Sequence, residues 1–331
     1  MTKEKWSVGQ LLETSGSYWK ACTLHAGVSL EIFTLIGDDC IDGDEIARRS
    51  GGDADGVKRL LNALTAMGLI TKQQGEYTNT SESKSLLVKG SPDYIGHIIM
   101  HHHHLVSAWS QLPQAVKNGQ PVRQRSSFSK ADERESFLMG MFNLAMNIAP
   151  HVADQIDLQG RTHLIDLGGG PGTYAIHFCL ANPDLRATVF DLDTTRGFAL
   201  KTIERFGLAD RIDFMAGNYV DDEIKGSYDV AWLSHILHGE GPEDCKMIIR
   251  KAVSVVEASG LILVHDFIVN DNLDGPLFPA LFSLNMLINT QHGQSYSDSQ
   301  ITSMLARAGV KEVHRIPFRG PNDSGIISGV V

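Results

Sequence analysis

Asp166, Gly168, Gly170 and Gly172 fall at every second position of Asp166-Leu167-Gly168-Gly169-Gly170-Pro171-Gly172. Glycine is needed where a backbone turns sharply or a ligand lies directly against it. The apolar run Leu164-Ile165-Asp166-Leu167 just before has the length of a strand, and a helix can begin at Pro171 to Tyr174. The free N–H groups of that helix start would point at whatever occupies the loop. A second strand-like run, Ala187-Thr188-Val189-Phe190-Asp191, ends on an acid that can accept both hydroxyls of a ribose.

Two cofactor classes use such a layout. Dinucleotide enzymes favour Gly-x-Gly-x-x-Gly, where the helix start meets a pyrophosphate. Here the spacing is Asp-x-Gly-x-Gly-x-Gly. The leading Asp166 would repel a phosphate but suits a ligand with an ammonium group. S-adenosylmethionine (SAM) has that group and no phosphate, so SAM is the expected cofactor and an NAD-dependent oxidoreductase is disfavoured.

The elements that position this loop follow from hydrophobic spacing. In the first hundred residues Leu11, Leu12, Trp19, Cys22, Leu24, Val28, Leu30, Phe33 and Ile36 recur at near-helical intervals. A short helix at Asp44 to Arg49, a second from Asp55 to Met67 and a hairpin turning at Gln73 to Glu76 then give a winged-helix order. From Ser91 to His151 the chain reads as helical, with Pro113, Pro121 and Pro150 as breaks. Beyond residue 160, strand-length apolar runs alternate with helical segments, which means a mostly parallel sheet covered on both faces. The last two strands, near Val313 to Pro317 and Gly325 to Val330, lack a helix between them and should form an antiparallel hairpin. The expected domains are therefore 1–100, 101–155 (a helical linker contributing to a substrate pocket) and 156–331.

Composition narrows the function classes. With 331 residues and a formal net charge of −10, nucleic acid is not the expected partner, because that binding rests on neutralising phosphates. Residues 1–100 carry 10 Lys and Arg against 13 Asp and Glu, and the candidate wing has no basic residue. A transcriptional regulator should show a basic face, so a dimerisation module is the better reading of this segment. The four cysteines form no Cys-x-x-Cys pair, so neither a disulfide frame nor a zinc site is expected. No apolar signal segment or membrane-length span is visible, and a cytoplasmic protein is expected.

The loop, with Val189-Phe190-Asp191-Leu192, Ala216-Gly217-Asn218-Tyr219 and Leu237-His238-Gly239-Glu240-Gly241-Pro242-Glu243-Asp244-Cys245, resembles the class I methyltransferases, in particular the plant-type and bacterial small-molecule O-methyltransferases. The winged-helix-like N-terminal segment belongs to the same pattern, so the resemblance covers nearly the whole chain. It implies a Rossmann-like α/β sheet with an N-terminal, mainly α, dimerisation domain, a homodimer, and a small-molecule acceptor. It also implies that Gly168 and Gly170 lie against the methionine part of SAM and that Asp191, next to Leu192, holds the ribose. Asn218 and Tyr219 match positions at the adenine, and Ser234 matches a cofactor-contacting position that is often Lys. His238 matches the catalytic base, Asp266 an acid that flanks it, and Asn289 an Asn that touches the acceptor hydroxyl.

Two departures stand out. Many relatives follow the catalytic His with Asp-Trp, where this chain has Gly239-Glu240, and a second flanking acid aligns near Ser295. Met139, Phe142 and Met146 read either as core or as walls of an acceptor pocket, for which the adaptable thioether is suited. His101 to His104 lie within one helical stretch; adjacent helical residues point in different directions, so no metal site is expected there. The reading is an O-methyltransferase for an aromatic or polyketide-like hydroxyl, with a carbon or nitrogen acceptor as the alternative.

Overall fold

Short side-chain oxygens start the helices of the N-terminal part. In a computed structural model that describes residues 5–128 and 130–331, Ser7 and Gln10 form a capping box at the head of helix Val8–Gly16. Asp42 accepts the N–H groups of Asp44 and Glu45 at the head of Gly43–Ser50. Asp53 accepts that of Gly56 at the head of Ala54–Ala66. Such caps satisfy donors that have no partner inside the helix. Ile46, Leu61 and Leu64 then bury their apolar faces with Ile32, Phe33 and Ile36 in one core.

Three short strands, β1 (Ile41–Asp42), β2 (Ile70–Gln73) and β3 (Glu76–Asn79), make a small antiparallel sheet in the order β1-β3-β2. Gln74 and Gly75 join β2 to β3 at φ of 49° and 91°, the two-residue turn whose twist suits a hairpin. The hairpin was legible in the sequence; β1, at two residues, leaves no periodic trace. The amide of Asn79 donates to the carbonyls of Phe33 and Gly37, at 2.8 and 2.9 Å, and so ties the hairpin to the helices. Helices Val8–Gly16 and Tyr18–Ser29 differ from the rest, because Leu11, Leu12, Tyr18 and Trp19 on them are each more than half exposed.

The chain divides into two compact units, residues up to Leu105 with Glu135–Asn143, and Val106–Arg134 with Leu144–Val331. The stretch 101–155, expected as a linker, is thus shared between both, and its helix Ala131–Met146 contributes residues to each. In the second unit β4 (His163–Leu167), β5 (Arg186–Asp191), β6 (Ile212–Ala216), β7 (Tyr228–Ser234), β8 (Val256–Val269), β9 (Tyr296–Ser297), β10 (Lys311–Arg315) and β11 (Ser324–Val330) form one sheet. Its order is β10-β11-β8-β7-β4-β5-β6, with β9 beside β8. Strands β4 to β8 pair in parallel, and β11 runs antiparallel to both β8 and β10. This is the mostly parallel α/β sheet with a terminal antiparallel pair that the alternation of runs anticipated.

Apolar residues fill both faces of the sheet. Leu164, Val189 and Trp232 belong to one core, and Ile165, Leu233 and Val264 to the other, which is why these strands read as continuous apolar runs. The chain passes from β4 to β5 on one side, then later lays β7 against the other side of β4. The carboxyl ends of β4 and β7 therefore stand side by side at a switch point, where open α/β sheets bind ligands. Among the described residues no helix is long and apolar enough to cross a membrane.

Candidate active site

The glycine loop leaves β4 at that switch point. Gly168, Gly170 and Gly172 adopt φ of 69°, 55° and 80°, the left-handed region that strains other residues. Gly168 has a second reason to lack a side chain, since a Cβ there would come within 2.5 Å of Ile236 and 3.3 Å of the Tyr219 ring. Gly170 opens instead onto free space, so a ligand can approach its backbone. Its N–H donates to Oδ2 of Asp191 at 2.8 Å, while Oδ1 of Asp191 accepts from the Leu192 N–H at 2.6 Å and the Thr195 hydroxyl at 3.2 Å. Asp191 thus ties the loop to the end of β5. Burial pushes its carboxyl up, against the pull of those N–H donors.

Asp166 lies beneath the loop, 1% exposed. One oxygen accepts the Ala175 N–H at 3.3 Å, and the other has no hydrogen-bond partner among the described residues. Burial raises this carboxyl to about 7. The Asn218 amide donates to Asp221 at 2.7 Å and its side-chain oxygen accepts the Val220 N–H at 3.0 Å, which fixes the turn after β6. The Ser234 hydroxyl sits 3.1 Å from Nδ1 of His265, its register partner on β8. Burial holds His265 well below its ordinary value, so that imidazole is neutral.

Beyond β7 the chain turns through His235, at φ of 56°, into a short 3-10 turn, Leu237–Gly239, that carries His238. Nδ1 of His238 lies 2.6 Å from Oδ1 of Asp266, and the backbone N–H of His238 donates to Oδ2 at 3.2 Å. Phe267 N–H also donates to Oδ1, at 2.8 Å. Burial alone would raise the Asp266 carboxyl, but His238 and His235 outweigh it and hold it below the usual carboxylate range. With a carboxylate as partner, Nδ1 is the ring nitrogen that donates in this contact. Phe282 meets the His238 ring edge-on at 4.7 Å, and Phe267 and Phe278 pack against Phe282 at 4.8 and 5.9 Å.

His235, His238 and Asp266 bring ligand-type atoms within 4.8 Å of one another, the one such group among the described residues. Folding alone assembles it, and no metal cluster was visible in the sequence. A cation there would compete with the 2.6 Å hydrogen bond that orients His238. His103 packs on His25 and His101 on Phe137, so neighbours in the histidine run face different partners on helix Gly96–Trp109. Met139 and Phe142 belong to the first unit, Phe142 buried and Met139 half-buried. Met146, in the second unit, places its sulfur 3.4 Å from Nε2 of His177. Asn289 is buried; its amide donates to the Asn285 carbonyl at 2.7 Å, and its side-chain oxygen has no partner among the described residues. Ser295, where a second acid would align, is buried and donates to the Pro279 carbonyl at 2.7 Å.

Several site residues left little or no mark in the sequence. Phe278 and Phe282 stand four apart on helix Leu277–Asn289, a spacing that puts them on one face. Arg125 gave no signal at all, yet its Nη1 donates to Oε1 of Glu240 at 2.7 Å. The Tyr219 hydroxyl donates to the same oxygen at 3.2 Å.

A parallel sheet of this strand order, with its ligand loop at the switch point, is the class I methyltransferase fold. The chain matches the O-methyltransferase domain over residues 109–311 and the O-methyltransferase dimerisation domain over residues 12–89. It is 31% identical over 326 residues to a 3-hydroxy-5-methyl-1-naphthoate 3-O-methyltransferase of Streptomyces sahachiroi, covering 97% of this chain and 94% of the relative. It is 26% identical to the tetracenomycin polyketide synthesis 8-O-methyl transferase TcmO of Streptomyces glaucescens, covering 96% of each. The solved structure of an O-methyltransferase family protein from Burkholderia thailandensis superposes with a TM-score of 0.88 at 28% identity, covering 99% of this chain and 98% of that one. The chain belongs to the SAM-dependent small-molecule O-methyltransferase family. The loop fits that family's cofactor: free space lies over Gly170, and a carboxylate with an unused oxygen lies below.

Proposed function

We propose that this enzyme methylates a hydroxyl on a small aromatic or polyketide-like molecule, with His238 as general base. The observation that carries the reading is the 2.6 Å contact of His238 Nδ1 with Asp266, which leaves Nε2 to accept a proton. Phe267, Phe278 and Phe282 beside the imidazole suit a flat acceptor, because aromatic faces and edges attract one another. Relatives named for O-methylation of a hydroxynaphthoate and for tetracenomycin polyketide synthesis support the same acceptor class.

SAM, when bound at the loop, supplies an electrophilic methyl group on a sulfonium. Gly168 and Gly170 would face its methionine part, with Asp166 beneath as the partner of its ammonium group. Asp191 and Leu192 would meet the ribose, Asn218 and Tyr219 the adenine, and Ser234 would complete the cofactor wall. His238 takes the acceptor's hydroxyl proton on Nε2 as that oxygen becomes methylated. Asp266 stabilises the imidazolium that results, and Asn289 orients the hydroxyl through its unused side-chain oxygen.

The segment matching the dimerisation domain carries Trp19, Leu12 and Tyr18 well exposed. A second copy of the chain is the partner that would cover them. The four cysteines are free, which suits the cytoplasm. His238→Ala tests the central claim: turnover with methyl-labelled SAM should fall by roughly 10²–10⁴ while SAM affinity stays nearly unchanged. Near-normal turnover in that variant would mean that the base lies elsewhere or that the acceptor needs none.

A further inference from the structure

Gly239 and Glu240, which directly follow His238, have a partner that explains both. Glu240 is 9% exposed, and its Oε1 receives Nη1 of Arg125 at 2.7 Å and the Tyr219 hydroxyl at 3.2 Å. Burial pushes the Tyr219 phenol up, so the hydroxyl stays protonated and donates. The ring of Tyr219 lies against Gly168 of the cofactor loop, 3.3 Å from where a Cβ would stand. On the other side, a methyl group added to Gly239 would overlap the Arg125 guanidinium. Gly239 therefore leaves the space that the guanidinium fills, and Glu240 supplies the charge that holds it.

We propose that Arg125 is a positioning residue for the cofactor: it fixes Glu240, and through Glu240 the Tyr219 ring, against the glycine loop. This rests on the reading of that loop as the SAM site. The backbone of Glu240 is held independently, since its carbonyl accepts from the Tyr296 hydroxyl at 2.6 Å. Only the Glu240 side chain and Tyr219 depend on Arg125. Without the guanidinium, Oε1 is a buried acid whose remaining donor is a neutral phenol, and such a group draws water or takes up a proton. Tyr219 would then lose the acceptor that sets its ring against Gly168.

Arg125 also has a fixed approach. It lies between helices Leu112–Asn118 and Ala131–Met146. Nearby, the Val122 N–H donates to the Ile288 carbonyl at 3.1 Å, and Arg123 pairs with Glu133 at 3.0 Å. The Val122 contact anchors this stretch on the helix that carries Phe278, Phe282 and Asn289. One connecting segment thus touches both the acceptor helix and the cofactor wall.

The test is calorimetric binding of S-adenosylhomocysteine and SAM to the full-length protein, alongside thermal melting. Arg125→Ala should weaken both ligands roughly tenfold, the scale of one lost charge-assisted hydrogen bond. Arg125→Lys should recover part of the loss. Gly239→Ala should weaken binding similarly with a smaller drop in melting temperature than Arg125→Ala, because it displaces the far end of a flexible side chain rather than removing it. It serves as the second variant should Arg125→Ala fold poorly. The double variant Arg125→Ala with Gly239→Ala should bind no worse than Arg125→Ala alone, since both act through one guanidinium. Wild-type-like affinity in Arg125→Ala or Gly239→Ala, or additive losses in the double variant, overturns the inference while the cofactor reading stands. A wild-type protein without affinity for either ligand overturns both.

Discussion

Oδ1 of Asp266 stands 2.6 Å from Nδ1 of His238, a residue 28 positions earlier in the chain. The contact is set by strand register. Ser234 at the end of β7 lies opposite His265 on β8, so Asp266 is the next residue outward on β8. The left-handed turn at His235 and the short 3-10 turn after it then present His238 to that carboxylate. His238 and Asp266 are thus brought together at the carboxyl edge of two adjacent strands.

Asp266→Asn should lower turnover by roughly 10- to 10³-fold, the effect of a neighbouring carboxylate on an imidazolium being about 1–3 pH units. Stability adds an independent check. The folded carboxyl of Asp266 lies below its unfolded value. Its stabilising contribution is therefore present above the unfolded carboxylate range and is lost as pH falls through the folded value. The melting-temperature gap between wild type and Asp266→Asn should narrow as pH falls below ~4. A gap that does not depend on pH argues that the carboxylate is not held by the histidines.

Asp166 has the opposite sign. Burial raises it to about 7 in the fold, against ~3.9 when unfolded. Its contribution to stability is present below the unfolded value and is lost as pH rises through about 7. Melting of the ligand-free protein between pH ~4 and ~7 should therefore show a downward slope that Asp166→Asn flattens. The same variant should bind S-adenosylhomocysteine more weakly. Equal slopes in the two proteins would show that Asp166 is solvated or paired.

Asp191→Ala removes the acceptor for the Gly170 N–H as well as the proposed ribose partner. Calorimetry should show SAM binding weakened by roughly 1.5–3 kcal/mol, the range for hydrogen bonds to a charged group. NADH, which carries a pyrophosphate, should not bind to the wild type. Measurable NADH binding, or an Asp191→Ala protein with unchanged SAM affinity, would count against the assignment of this loop.

The exposed Leu11, Leu12, Tyr18 and Trp19 should be covered by a second copy of the chain. Light scattering at micromolar concentration is expected to report a dimer. Replacing Leu12 and Trp19 together by Asp and Lys should shift the population toward monomer, since charges disfavour burial in an apolar interface. A monomeric wild type would end this reading.

The sequence by itself determined what depends on neighbours along the chain. Alternating apolar runs and helical spacing gave away the α/β sheet and the helical N-terminal part, because backbone periodicity is local. The glycine loop was legible for a similarly local reason: left-handed φ at Gly168, Gly170 and Gly172 is a demand that each residue meets alone. His238 and Asp266 could be proposed from resemblance and from their places at strand ends, but their 2.6 Å meeting depends on the register of β7 and β8. The Phe267, Phe278 and Phe282 wall and the role of Arg125 were decided only by tertiary structure. Arg125 and Glu240 lie 115 positions apart. A contact of that span leaves no period and no motif, because what joins its ends is the packing of everything folded between them.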